Sequence, residues 1–421
     1  MQPAQHANVS ISYAWNRPYL PADAVGTYYV LLEASGHSDL TTDRAPINVS
    51  LVLDRSGSMS GSKIRYAKQA CQFVVEQLSE GDTFSLVAFD DEVETIIPPG
   101  PVTNKPELRK RIERIQTGSC TNLSAGLIEG AKHVLEGKLG LPRAVNRVIL
   151  LSDGLANRGV TSKTRLAELA REYHSSGASI SAMGLGDGFD EELMETISYQ
   201  GGGHFYYIDA PERIPVIFQQ ELEGMLSVVA NRMTLTLRTS EHARVMNVYG
   251  YTTERRAGEL KVNAGDLYAN EAKAILLELA VDPHAPGRHP VMSVEWSYND
   301  LSGGAKKACA VCCELSAEFT DDAGLLEEPG DAAVLQQVEL ARSAIAIESA
   351  MEALDRGDLQ AGMVMLREQA NHMRAMSDAL TAPALAEAAE KLIAQVGDDF
   401  AYSNRTRKKL HEQKVNQLRG K

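Results

Sequence analysis

Five oxygen-bearing residues in three separated segments form a set that could hold a metal ion. Asp54-Arg55-Ser56-Gly57-Ser58 closes the apolar run INVSLVL, Thr121 lies in TGSCTNLSAGL, and Asp153 ends RVILLSD. Asp54, Ser56 and Ser58 alternate, and Gly57 permits a tight loop, so three oxygens can turn toward one point. A hard cation takes oxygen ligands and keeps some of its water, which suits a set with few anions. Singly, Ser and Asp are ordinary turn and helix-cap residues. The chemistry depends on whether the chain brings all five together.

The elements that would do so are legible as alternation. From about 46 to 230, short apolar strands (INVSLVLD, DTFSLVAFD, NRVILLSD, ASISAMGLG, HFYYI) alternate with amphipathic helices (KIRYAKQACQFVVEQL, NLSAGLIEGAKHVLEG, KTRLAELAREYHSSG). Near-unbroken apolar strands between helices predict an α/β domain with a doubly wound, mainly parallel sheet covered on both faces. Ligands of such sheets lie at the carboxyl ends of the strands, where Asp54, Thr121 and Asp153 fall. The last helix of the series is expected over ERIPVIFQQELEGMLSVVA.

Outside this region the pattern changes. Residues 1–45 read as strands (VSISYAW, TYYVLLEAS), and 231–325 as further strands separated by Gly, Pro, Asn and Asp turns. Together they predict a flanking β-sandwich, discontinuous in sequence, with the α/β domain inserted. Residues 326–421 turn helical, broken at Arg356-Gly357-Asp358 and Thr381-Ala382-Pro383 into a bundle of three helices. The final stretch, RTRKKLHEQKVNQLRGK, reads as a solvated basic tail or an anionic docking site.

In order and spacing, Asp54-x-Ser56-x-Ser58, then Thr121, then Asp153 resemble the metal-ion-dependent adhesion site of von Willebrand factor A domains. The strings VLDRSGSM, TNLSAGL, LLSDG and MGLGDGFDEELM also resemble that family, over about 185 residues. The flanking β-rich segments are similar to bacterial cytoplasmic members and, more remotely, to inter-α-trypsin-inhibitor heavy chains. The resemblance implies a complete site. Ser56 and Ser58 would bind the metal directly, Thr121 directly or through water, and Asp54 and Asp153 mostly through water. Mg²⁺ is the implied occupant, with Mn²⁺ or Ca²⁺ as substitutes. An Asp or Glu of a protein partner would complete the coordination shell, making the chain a non-enzymatic interaction module. Two other readings stay open: a metal-assisted hydrolase at the same site, and a scaffold that binds through its C-terminal helices around a structural metal.

Other signals are weaker. Gly184-x-Gly186-x-Gly188 lacks nucleotide-loop spacing. Ser60-Gly61-Ser62-Lys63 fits S-x-x-K, but the K-T-G element of serine β-lactamases has no match. Cys309, Cys312 and Cys313 share a strand candidate, so their side chains alternate faces and do not make a zinc site. The net charge of −14 opposes unaided binding to nucleic acid or anionic membrane. No apolar run approaches the roughly 18 residues of a membrane-spanning helix. The opening residues lack the basic and apolar regions of a signal peptide. With five cysteines in no framework spacing, these features lead to an expected cytoplasmic location.

Overall fold

The computed structural model describes residues 4–6, 8–37, 44–138, 141, 143–256, 258–301, 307–395 and 402–419. Four strands lead the chain: β1 (Ala4–His6), β2 (Val9–Trp15), β3 (Tyr19–Pro21) and β4 (Gly26–Gly36). The alternating series follows with β5 (Ile47–Asp54), α1 (Ser62–Gln77), β6 (Thr83–Phe89), β7 (Val93–Pro101), α2 (Lys105–Glu113) and α3 (Leu123–Gly137). It continues through β8 (Val145–Ser152), α4 (Lys163–Ser176), β9 (Ser179–Leu185), α5 (Glu191–Gln200), β10 (Gly202–Ile208) and α6 (Ile214–Leu226). Then come β11 (Val228–Thr239), β12 (Ala243–Val248), β13 (Thr253–Arg256), β14 (Glu259–Tyr268), β15 (Ala272–Val281), β16 (Gly287–Asp300) and β17 (Lys307–Thr320). Helices α7 (Ala323–Leu326), α8 (Ala332–Asp355), α9 (Leu359–Leu380), α10 (Pro383–Gln395) and α11 (Asn404–Leu418) end it. The chain divides into two units: residues 38–232 with 299–307, and residues 1–37, 233–298 and 308–421.

In the first unit, β5 and β9 are buried along their whole length, which is why they read as unbroken apolar runs. The sheet order is β10-β9-β8-β5-β6-β7, with β7 antiparallel to β6 and every other pair parallel. Helices α1 and α6 pack together on one face, and α3, α4 and α5 cover the other. Gly130 lets α3 close on the sheet, because a side chain there would meet Val52 Cγ2 at 2.2 Å. Side chains of Asn104, Asn122, Ser162 and Asp190 accept the free N–H groups at the starts of α2 to α5. The chain winds outward from β5 to β7, then resumes on the other side of β5 with β8, so the direction of winding reverses between β5 and β8. In sheets of this kind that reversal opens a crevice at the carboxyl edge.

At the opposite edge lies a buried polar cluster. Arg147, at the start of β8, is fully buried, and its Nε lies 3.5 Å from Glu221 Oε1 on α6. Ser181 and Tyr206 donate to the same carboxylate at 2.5 and 2.8 Å, and His204 Nδ1 sits 3.1 Å from it. Burial alone would push Glu221 up, but the charges of Arg147 and His204 hold its carboxyl well below the usual range. This cluster fixes α6 to β8, β9 and β10. α6 itself ends at Leu226, so Val228–Ala230 belong to β11 and not to the expected long helix.

The second unit holds a sandwich of two sheets, β1-β2-β4-β15-β12 and β13-β14-β11-β16-β17-β3. The hairpin β13–β14 was absent from the strands expected in this region. On β4, alternate residues Tyr28, Val30, Leu32 and Ala34 are buried, and so is Leu31 between them, because α8 covers the other face through Val334, Val338 and Ala341. Helices α8, α9, α10 and α11 pack together. The solvated basic tail is a correction: it forms α11, whose Leu410 joins the core of Ile347, Ala350, Leu366 and Leu392. Val415 is buried too, Leu418 packs against the cluster of Leu31, Leu276 and Val334, and Gln413 donates to Ala388 O at 2.8 Å and accepts from Gln395. Residues 396–401, expected to extend the preceding helix, lie outside the described residues.

Two outcomes follow. Glu221→Ala removes the buried carboxylate that Arg147, Ser181, His204 and Tyr206 share and is expected to destabilise the fold by about 3–5 kcal/mol; the urea midpoint followed by circular dichroism measures this. Asp82 is a second anchor, accepting from Arg44 and from the backbone of Ile47 and Ser79. Burial opposes its ionisation, but those bonds win and hold its carboxyl at about 2, below the ordinary 3.8. A depressed folded value stabilises above the unfolded one, so this contribution is intact at neutral pH and lost as pH falls through about 2. Asp82→Asn is expected to flatten the fall of thermal stability between about pH 4 and pH 2.

Candidate metal centre

Strand register brings the first two segments of the site together. Leu53 pairs with Leu151, which sets Asp54 beside Ser152 at the carboxyl edge, and Asp153 follows one residue on. Asp54 is completely buried. Its Oδ1 accepts from Ser56 N at 2.8 Å, closing the turn that aims the following residues, and its Oδ2 accepts from Ser152 Oγ at 2.5 Å. Burial pushes the Asp54 carboxyl up, as does the neighbouring Asp153, while the bonds from Ser152 and Ser56 oppose it. Such a group is stabilised by any cation placed beside it.

From this base the hydroxyls line up. Ser56 Oγ lies 3.1 Å from Ser58 Oγ, and Ser58 Oγ donates to Asp153 Oδ1 at 2.6 Å, joining residues 95 positions apart in the chain. Thr121 is buried, and a side chain at Gly154 would lie 3.3 Å from Thr121 Oγ1 and 3.9 Å from Ser58 Oγ. Thr121 therefore borders the same small space as Ser58. All five residues expected from sequence converge here, and none is left elsewhere in the fold.

Three loops are stitched so that this convergence holds. Gly57 N donates to Ser119 O at 3.0 Å and Gly118 N to Arg55 O at 2.7 Å, tying the first loop to the second. Arg55 also reaches Asp90 and Glu94, while Asn122 N donates to Asp90 O. Asn157 links the second loop to the third, since its Oδ1 accepts from Thr121 N and its own N–H donates to Thr121 O. Lys63, in the first turn of α1, pairs with Asp153 Oδ2. Ser152, Asp90, Asn157 and Lys63 were not picked out as site residues from sequence. The first two follow directly from strand ends (LLSD, AFD), whereas nothing local marks Asn157. Cys120 is a half-buried free thiol.

The donor set is oxygen throughout, two carboxylates and three hydroxyls, and it fits a hard divalent cation. Among the described residues, no group of three or more His, Cys, Asp and Glu side chains is arranged to hold a metal. The hydroxyls thus carry much of this site. Gly188 supports it from behind, because a side chain there would approach Asp153 O to 2.8 Å. Gly188→Ala is expected to displace Asp153 and weaken divalent-metal binding about tenfold, or about 1.4 kcal/mol, with the circular dichroism spectrum unchanged. Calorimetric titration with MnCl₂ measures it.

Residues 48–220 match the family profile of the von Willebrand factor type A domain. The uncharacterized protein sll0103 of Synechocystis sp. is 28% identical over 272 residues, 62% of this chain and 63% of its own. Inter-alpha-trypsin inhibitor heavy chain H1 of Bos taurus is 26% identical over 196 residues, 44% of this chain and 20% of its own. The chain therefore spans less than two thirds of the first relative and about a fifth of the second. The solved structure of a von Willebrand factor type A protein from Catenulispora acidiphila shares the fold. Its TM-score is 0.77 at 15% identity, covering 99% of this chain and 98% of that one. Residues 48–220 thus form a von Willebrand factor type A domain, and such domains bind a divalent metal ion and mediate metal-dependent interactions between proteins.

Proposed function

We propose that Asp54, Ser56, Ser58, Thr121 and Asp153 hold one divalent cation, Mg²⁺ by default, with which this chain captures an Asp or Glu of a protein partner. The supporting observation is the run of contacts from Ser56 Oγ through Ser58 Oγ to Asp153 Oδ1, three segments sharing one cluster of oxygens. With hydroxyls supplying three of five donors, a bound cation keeps enough positive charge to attract one more carboxylate. The protein's residues orient and bind; the metal supplies the electrophilic contact. Ser58 is exposed while Asp54, Ser56, Thr121 and Asp153 are buried, so a partner would meet the site on the Ser58 side.

In this reading the chain is a binding module and not an enzyme, and the sandwich and C-terminal helices form a scaffold. No described helix is long and apolar enough to cross a membrane. The five cysteines are all free thiols, which supports residence in a reducing, cytoplasmic compartment.

The test is capture of partners from native cytosol by the full chain, in MgCl₂ and in EDTA, with Ser58→Ala beside wild type. Ser58→Ala removes the hydroxyl that donates to Asp153 and no apolar core contact, so the expected result is a cooperative but slightly lowered thermal transition with partner capture lost. Capture that survives both EDTA and the mutation overturns the proposal and moves binding to another surface.

A further inference from the structure

Asp153 has two oxygens with different companions. Oδ1 receives the Ser58 hydroxyl, whereas Oδ2 receives the Lys63 ammonium. The Asp153 side chain is fully shielded from solvent, while that of Lys63 is 31% exposed, so the lysine has a path back to water that the carboxylate lacks.

The position of Lys63 is itself unfavourable. It stands in the first turn of α1, where the helix dipole repels a cation. That turn contains no acidic residue, and Gly61 at the cap provides no side-chain hydrogen bond. Asp153 is the ion-pair partner that offsets this repulsion. A divalent cation entering the cluster adds two positive charges beside the ammonium, against the two carboxylates Asp54 and Asp153. Ammonium and metal then repel each other across a few ångströms of poorly solvated space, and the lysine is the member free to leave.

We infer that Lys63 is a resident counter-ion of the site: it holds Asp153 when no metal is bound and must be displaced for the metal to enter. This rests on the metal reading above and goes beyond it. The lysine keeps the buried carboxylate satisfied in the metal-free protein and raises the free metal concentration at which the site fills.

Calorimetric titration of the full chain with MnCl₂ and with MgCl₂ tests this for wild type, Lys63→Met and Lys63→Arg. Lys63→Met is expected to bind metal about tenfold more tightly, and Lys63→Arg to match wild type. Thermal unfolding gives a second readout. In EDTA, Lys63→Met is expected to melt below wild type, and its rise on adding metal is expected to be larger. Should Lys63→Met fail to fold, Lys63→Gln carries the same expectations. Metal affinity that is unchanged or weakened in the uncharged variants, with wild type still binding, overturns the counter-ion role and leaves the metal site standing. A wild-type chain that binds neither ion overturns the metal reading and this inference with it.

Discussion

A carboxylate that cannot reach water governs this structure. Asp54 closes the central strand with no exposed surface, and an isolated buried charge costs several kcal/mol unless hydrogen bonds and a counter-charge offset it. The backbone supplies the first offset, because the Ser56 N–H bond to Asp54 also bends the loop that carries Ser56 and Ser58 toward the crevice. Ser152 supplies the second from the neighbouring strand. A cation is the remaining way to stabilise the charge. On the proposed reading, the residue that attracts the metal is therefore also the one that folds the loop around it.

Topology decides where that charge can sit. Because winding reverses between β5 and β8, a crevice opens beyond their carboxyl ends, and loops from three parts of the chain meet there. Strand β8 carries Arg147 near its start and leads into Asp153 past its end, about 20 Å apart at the rise of a β-strand. Two polar clusters thus bracket one apolar layer. The Arg147–Glu221 cluster anchors α6 and the strand starts, leaving the other edge to be shaped by loops.

Much of this was legible in the sequence, for identifiable reasons. The runs INVSLVLD and NRVILLSD announced buried parallel strands because both faces of the sheet are covered, and strand ends put Asp54 and Asp153 at the ligand-binding edge. Thr121, just before the helix NLSAGLIEGAKHVLEG, was placed at the same edge by topology, and the family resemblance supported it. Lys63 was weighed only as part of an S-x-x-K match, and its place beside the site was not foreseen, because its partner lies 90 residues away and lysine at a helix start usually faces water. The hairpin β13–β14 escaped although Glu259-Leu260-Lys261-Val262-Asn263-Ala264 alternates, with Leu260, Val262 and Ala264 buried, because its partner TERR has no apolar residue to mark a strand. In α11, Leu410, Val415 and Leu418 are scattered among charges and amides, so its docking through Gln413 left no apolar stripe to read.

The electrostatics of the whole chain and of the site pull in opposite directions. A net charge of −14 repels an acidic partner at long range, with a reach set by a Debye length of about 8 Å at physiological salt. A metal held mainly by hydroxyls attracts the same partner at contact, where desolvation makes the attraction strong and screening slight. On the proposed reading, approach is therefore hindered and arrival rewarded. Acidic surfaces in general are turned away, and a carboxylate gains a foothold where it is presented on a shape that can reach the exposed Ser58 side of the crevice. Selectivity would then come from this contrast between field and contact as much as from any matching surface.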